Sequence, residues 1–112
     1  MHYFLIAGEA SGDLHASHLI TALRAADPEA VITFLGGDKM AAAAGTAPIV
    51  HYREMAYMGF SEVLRNLDKV TSNLRRAKDA VRMAKPDALI LVDYPSFNLK
   101  VAATAHAEGI PV

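Results

Sequence analysis

The sequence predicts an α/β domain in which a mainly parallel sheet is covered by helices on both faces. Three observations predict it. Three short runs are continuously apolar rather than alternating: residues 3–7 (YFLIA), 31–35 (VITFL) and 88–92 (ALILV). Strands buried on both faces read this way. The segments between them carry apolar residues at helical spacing and are punctuated by Asp, Gly and Pro. Strand and helix patterns alternate along a chain of 112 residues, a length that suits one domain, and such alternation implies right-handed crossovers.

Each element follows in order. The first strand ends at Gly8, and the small polar segment GEASGD (residues 8–13) follows it. Asp13 is expected to cap a helix whose apolar positions are Leu14, Leu19, Ile20 and Leu23, with Asp27-Pro28 as its stop. The second strand ends at Gly36-Gly37, and Asp38 is expected to cap a short helix over residues 39–44, ended by Gly45. Residues 49–52 suggest a further short strand. Ser61 is expected to cap a long helix with Val63, Leu64, Leu67, Val70, Leu74 and Val81 on one face, ended by Lys85-Pro86. Strand 88–92 closes at Asp93 and a Pro95 turn, and residues 97–107 read as a helix that stops at Gly109. The apolar run at 110–112 reads as the start of another element. This suggests a piece of a longer chain, with an unprotected sheet edge and hence self-association.

Composition narrows the function classes. The chain is 53% hydrophobic, which argues against disorder, and its net charge of −1 argues against nucleic-acid binding by the molecule as a whole. It has no cysteine, which excludes disulfides and cysteine metal sites and suits a reducing compartment. The first seven residues lack a basic leader and a cleavage site, and no apolar run has membrane-spanning length. The cytoplasm is the expected compartment. The histidines show no metal-binding spacing.

In open α/β sheets, ligands bind beyond the carboxyl ends of the strands. Two polar segments are expected there. The first is Gly8-Glu9-Ala10-Ser11-Gly12-Asp13, whose glycines permit a sharp turn and whose following helix offers free N–H groups to an anion. Its spacing is neither a dinucleotide fingerprint nor a Walker loop. A plain turn with a helix cap is the competing reading. The second is Asp93-Tyr94-Pro95-Ser96-Phe97-Asn98. Asp93 follows an apolar strand, where a carboxylate is costly without partners or a task, and it could take the proton of an attacking hydroxyl. The alternative is that it merely caps its own turn. His15, one turn into the first helix, is either an alternative base or phosphate ligand, or an ordinary surface histidine. Gly36-Gly37-Asp38 reads as a plain turn or a second ligand loop. Met55, Tyr57, Met58 and Phe60 form an apolar cluster, and the long helix is rich in Arg and Lys, beginning with Arg65 and Lys69. Core packing and a solvated helix face are the ordinary readings; a lipid-facing patch and contact with anionic headgroups are the sharper ones.

Three segments together carry a resemblance: GEASGD after the first strand, HYREMAYMGFSEVL (residues 51–64) before the long helix, and DYPSFNLK (residues 93–100) after a hydrophobic strand. In this order, and over essentially the whole chain, they resemble the N-terminal part of the lipid-A-disaccharide synthases. The resemblance implies a Rossmann-like domain belonging to a two-domain GT-B glycosyltransferase. Residues 1–112 would be the acceptor-side domain, truncated and without the C-terminal nucleotide-sugar domain, and inactive alone. The implied reaction moves 2,3-diacylglucosamine from UDP to 2,3-diacylglucosamine 1-phosphate with inversion, giving the β-1,6 disaccharide of lipid A biosynthesis and UDP. No metal or organic cofactor is implied. Asp93 matches the aspartate opening the family's D-x-P-x-F-N motif and is the implied base, with His15 as the alternative. Gly8, Glu9, Ser11, Gly12 and Asp13 match the glycine-rich loop and are implied to shape the acceptor side of the cleft; Asn98, in the same motif as Asp93, is implied to bind the acceptor by positioning either the sugar or Asp93. Work on lipids at the cytoplasmic face of the inner membrane of a Gram-negative bacterium would make Met55, Met58, Phe60, Arg65 and Lys69 membrane contacts. Two rival readings stay open: a non-enzymatic flavodoxin-like or receiver-like binding domain, and another nucleotide-sugar enzyme.

Overall fold

The computed structural model describes residues 1–55, 67–93 and 95–112, with the side chains of all of these except 54, 55, 67–71, 95 and 96. Its elements are β1 (His2–Ala7), α1 (Ala10–Ala26), β2 (Val31–Leu35), α2 (Asp38–Ala44), α3 (Tyr52–Met55), α4 (Leu67–Ala84), β3 (Ala88–Val92) and α5 (Pro95–Ala107). The strands form a parallel sheet in the order β2-β1-β3. From central β1 the chain moves to one side for β2 and then across to the other for β3, so the order reverses between β1 and β3. This is the expected Rossmann-like α/β class.

Both sheet faces are covered. Phe4 and Ile6 of β1, level with Leu89 and Leu91 of β3, pack with Ala77 and Val81 of α4 and Phe97, Val101 and Ala105 of α5. Leu5 and Ala7 point the other way, with Ile32 and Phe34 of β2, onto Ala16 and Ile20 of α1 and Met40 and Ala44 of α2. Because both faces are dry, every position of β1 after Tyr3 is buried, which is why its sequence does not alternate.

Helix α1 departs from expectation. It begins at Ala10, with Glu9 as its N-cap, so Asp13 lies inside the helix instead of capping it. The buried stripe is Gly12, Asp13, Ala16, Ser17 and Ile20, while Leu14 and Leu19 are exposed. Small residues face the sheet because the helix lies close against it. A Cβ on Gly12 would sit 3.3 Å from the Ala7 Cβ and 3.5 Å from Val92 Cγ1.

Helix α2 also differs. Gly37 is its N-cap and Asp38 its first residue. Gly37 has no side chain to satisfy the free N–H groups of the first turn. Asp13 supplies that from α1: its Oδ1 accepts from Gly37 N (3.0 Å) and Met40 N (3.0 Å), and its Oδ2 from Lys39 N (3.1 Å). At the other end Arg24 Nη2, also on α1, donates to Ala44 O at 2.7 Å. One helix thus places a negative charge at the start of α2 and a positive charge at its end, matching the macrodipole. Seven residues are too few for a helix to be stable unaided.

Residues 49–52 form no strand. They contribute a parallel bridge from Gly36 to His51, framed by Gly36 N to Val50 O at 3.2 Å and Tyr52 N to Gly36 O at 2.7 Å, and then turn into α3. The expected Ser61 cap, with Tyr57, Met58, Phe60, Val63, Leu64 and Arg65, lies outside the described residues. Helix α4 ends as expected, with Lys85 in the left-handed conformation (φ 45°) ahead of Pro86. Helix α5 starts at Pro95, two residues earlier than the apolar spacing suggests. A proline at the first helical position loses no N–H that the helix would use. The segment at 110–112 runs beside the sheet, with Leu89 N donating to Pro111 O at 2.8 Å.

Candidate functional site

The strand order reverses between β1 and β3, and in open α/β sheets the ligand crevice is the one at the carboxyl ends of the strands flanking such a reversal. Two of the sequence-marked segments meet there. Gly12 is the contact: a Cβ at that position would lie 3.6 Å from the carbonyl oxygen of Val92, the residue before Asp93. The first turn of α1 therefore sits directly against the end of β3. Gly8 and Gly12 are buried, and Glu9 and Ser11 are exposed beside them. The Glu9 side chain makes no capping bond to α1. Among the described residues, the N–H groups opening this helix, at the positive end of its dipole, take no carboxylate cap of the kind that occupies α2.

Asp93 is exposed, with φ at 54°. A left-handed backbone costs a non-glycine residue about 1–2 kcal/mol, less for Asp and Asn. Its carbonyl oxygen accepts from Nδ2 of Asn98 at 2.6 Å. Asn98 is only 3% exposed, and its Oδ1 has no partner among the described residues. An unpaired buried acceptor costs about 1–3 kcal/mol, so this amide is not an economical way to fill space. The carbonyl of Asp93 would repel an oxygen, which fixes the nitrogen end of the amide toward it.

Asp13, at 3% exposure, has both carboxylate oxygens engaged by the backbone of the β2–α2 loop. The structure thus ties Asp13 to the β2 end, while Gly8, Glu9, Ser11 and Gly12 stay at the β1/β3 crevice. His15 is exposed on α1 beyond that first turn. Met58, Phe60 and Arg65 lie outside the described residues; Met55 and Lys69 fall in α3 and α4, and their side chains are not described.

The sequence did not reveal a polar cluster at the end of β2. His51 Nδ1 accepts from Arg53 N at 3.1 Å, which leaves Nε2 to carry the proton and donate to Asp38 Oδ1 at 3.1 Å. Arg53 Nη2 lies 3.5 Å from Asp38 Oδ2. Asp38 and His51 are thirteen positions apart, and no local pattern links them; only the Gly36–His51 bridge does. The cluster satisfies itself, and among the described residues no group of His, Asp and Glu is arranged to hold a metal.

At the far, amino end of the sheet, the Met1 ammonium pairs with Asp27 at 2.9 Å. Asp27's hydrogen bond with that ammonium holds its carboxyl below the usual carboxylate range, and the amine is raised by the same bond. The pair anchors the start of β1 and is remote from the crevice. A groove of about 280 Å³ lies on the outer side of α4, lined by Leu74, Arg75, Lys78, Asp79 and Arg82. Among the described residues no helix is long and apolar enough to cross a membrane.

Comparison with known proteins agrees with the geometry. A family model described as lipid-A-disaccharide synthetase matches residues 3–111. The lipid-A-disaccharide synthase of Myxococcus xanthus is 42% identical over 108 residues, covering 96% of this chain and 28% of that protein. That of Acidobacterium capsulatum is 42% identical over 109 residues, covering 97% and 27%. That of Nitrosococcus oceani is 39% identical over 108 residues, covering 96% and 28%. The chain spans less than a third of the length of these relatives. With a parallel Rossmann-like sheet, a polar crevice where its strand order reverses, and a family match from residue 3 to residue 111, this chain belongs to the lipid-A-disaccharide synthetase family.

Proposed function

We propose that these 112 residues are the acceptor-side part of an inverting glycosyltransferase of lipid A biosynthesis. The donor is UDP-2,3-diacylglucosamine and the acceptor 2,3-diacylglucosamine 1-phosphate. The observation that carries the reading is the exposed Asp93 at the end of β3, directly after the Val92 carbonyl that lies against Gly12 in the first turn of α1. In the reaction, the acceptor 6-hydroxyl oxygen attacks the anomeric carbon of the donor. The bond from that carbon to the UDP oxygen breaks, and its electron pair leaves with UDP. The hydroxyl proton goes to a base, assigned to Asp93 with His15 as the alternative. Attack opposite the leaving group inverts the anomeric centre without a covalent intermediate. Ser11, Glu9 and the N–H groups at the start of α1 face the sugar and phosphate of the acceptor. Gly8 and Gly12 let the loop approach closely, and Asp13 holds the neighbouring β2–α2 loop in place. Stabilising the negative charge of the leaving UDP is a task for the part of the family fold that the relatives carry beyond the matched segment.

The test is an amide NMR titration of this chain with a soluble short-acyl 2,3-diacylglucosamine 1-phosphate, with UDP in parallel. Saturable shifts at residues 8–15 and 93–98 with the glycolipid, none with UDP, and no disaccharide when UDP-sugar is added are the expected results. Shifts of those loops with UDP alone would instead indicate a nucleotide-binding module, and disaccharide formation by this chain would overturn the division of labour.

The same reading places the protein peripherally on the cytoplasmic face of the inner membrane. The outer side of α4 supports this. Arg75 and Arg82 are exposed there, Met83 is 84% exposed, and the exposed Lys85 follows directly at the helix end. Arg65, Lys69, Met55, Met58 and Phe60 are proposed to extend this contact. Co-sedimentation with vesicles containing anionic phospholipid, weakening as salt rises, is expected. Equal binding to zwitterionic vesicles would remove the electrostatic part.

A further inference from the structure

We propose that Asn98 is a positioning residue that acts through the backbone of Asp93 rather than by touching the acceptor. The inference rests on the reading of Asp93 as the base. Three observations lead to it. Asp93 holds a left-handed backbone (φ 54°) without being glycine. That conformation decides where its carboxylate projects from the end of β3. The Asn98 amide reaches back from α5 to the Asp93 carbonyl at 2.6 Å, bridging five positions and pinning the peptide plane that follows Asp93. Finally, Asn98 is 3% exposed and its Oδ1 is buried without a partner among the described residues, so the side chain is shielded from any ligand in the crevice.

An apolar residue would fill this space without leaving an orphaned acceptor. What asparagine supplies is a donor aimed at one carbonyl. Strained backbone at a ligand site persists when its surroundings over-determine it, and this contact is the restraint visible here. Asp93 is thereby held ready before the acceptor arrives, so binding need not also order the turn.

The experiment uses the 112-residue chain. The backbone at Asp93 is read from its intraresidue amide–Hα cross-peak, which is strong at positive φ. Binding is read by titration with the short-acyl 2,3-diacylglucosamine 1-phosphate. In Asn98→Ala the positive-φ signature at Asp93 is expected to vanish and affinity to fall about 3- to 10-fold. Asn98→Ser, whose hydroxyl is too short to reach the carbonyl, gives the same reading with a smaller packing change should the alanine variant not fold. Persistence of the signature in the folded variant overturns the proposal, as does its loss with affinity unchanged. If the unchanged chain fails to bind the glycolipid while the variant still loses the signature, the functional reading falls and the conformational role of Asn98 stands.

Discussion

Replacing Asp13 with alanine is expected to lower the unfolding free energy of this chain by about 3–5 kcal/mol, read as a fall in the urea midpoint with the slope unchanged. The carboxylate is buried and accepts from the backbone N–H groups of Gly37, Lys39 and Met40. Bonds to a charged group contribute about 1.5–3 kcal/mol each and are not additive. Alanine leaves three donors without a partner in a loop packed too tightly for easy hydration. The packing is visible at Gly37, where a Cβ would fall 2.6 Å from Asp13 Oδ2 and 2.6 Å from the Tyr52 ring. Asparagine at position 13 is expected to cost less, because its single oxygen can still take the bonds from Gly37 and Met40. A change of less than 1 kcal/mol in Asp13→Ala, on the scale of an ordinary surface substitution, would show that α2 is held by its apolar face alone.

The second large effect is on catalysis. Asp93→Asn is expected to reduce glycosyl transfer by about 10²–10⁴-fold, the usual contribution of a general base. The assay needs a protein of family length, so this chain is placed in the Myxococcus xanthus synthase in exchange for the segment it matches. The substitution separates chemistry from folding. Asparagine tolerates the left-handed backbone as well as aspartate does, and the bond from Asn98 goes to the carbonyl, which the substitution leaves in place. The unfolding midpoint should therefore stay where it was while turnover collapses. Activity within a few-fold of the parent would remove Asp93 as the base. A comparable collapse in His15→Ala, with Asp93→Asn active, would transfer the role to the exposed histidine on α1.

These two aspartates show what could be read in advance and what could not. The position of Asp93 at the end of β3 was legible because a carboxylate ending the apolar run ALILV breaks a simple pattern. Asp13 was misread as the cap of its own helix because Asp before an apolar run is a local signal, whereas its real partners lie 24 to 27 positions away. Leu14 and Leu19 misled in the same way. Their spacing marks a helix correctly, but the face against the sheet is chosen by how closely α1 approaches β1 and β3. That closeness favours Gly12 and Ala16 over larger residues.

The sequence by itself determined the three strands, the helices between them, their stops at proline and glycine, and the polar segments that follow β1 and β3. These depend on local periodicity and backbone preference, which are written within a few residues. The tertiary structure alone decided the strand order β2-β1-β3, and with it the crevice where Gly12 meets the end of β3. It also decided the clamping of α2 by Asp13 and Arg24 and the Asp38–His51–Arg53 cluster. Each of these joins residues through space, and hydrogen bonds between distant segments leave no periodic trace along the chain.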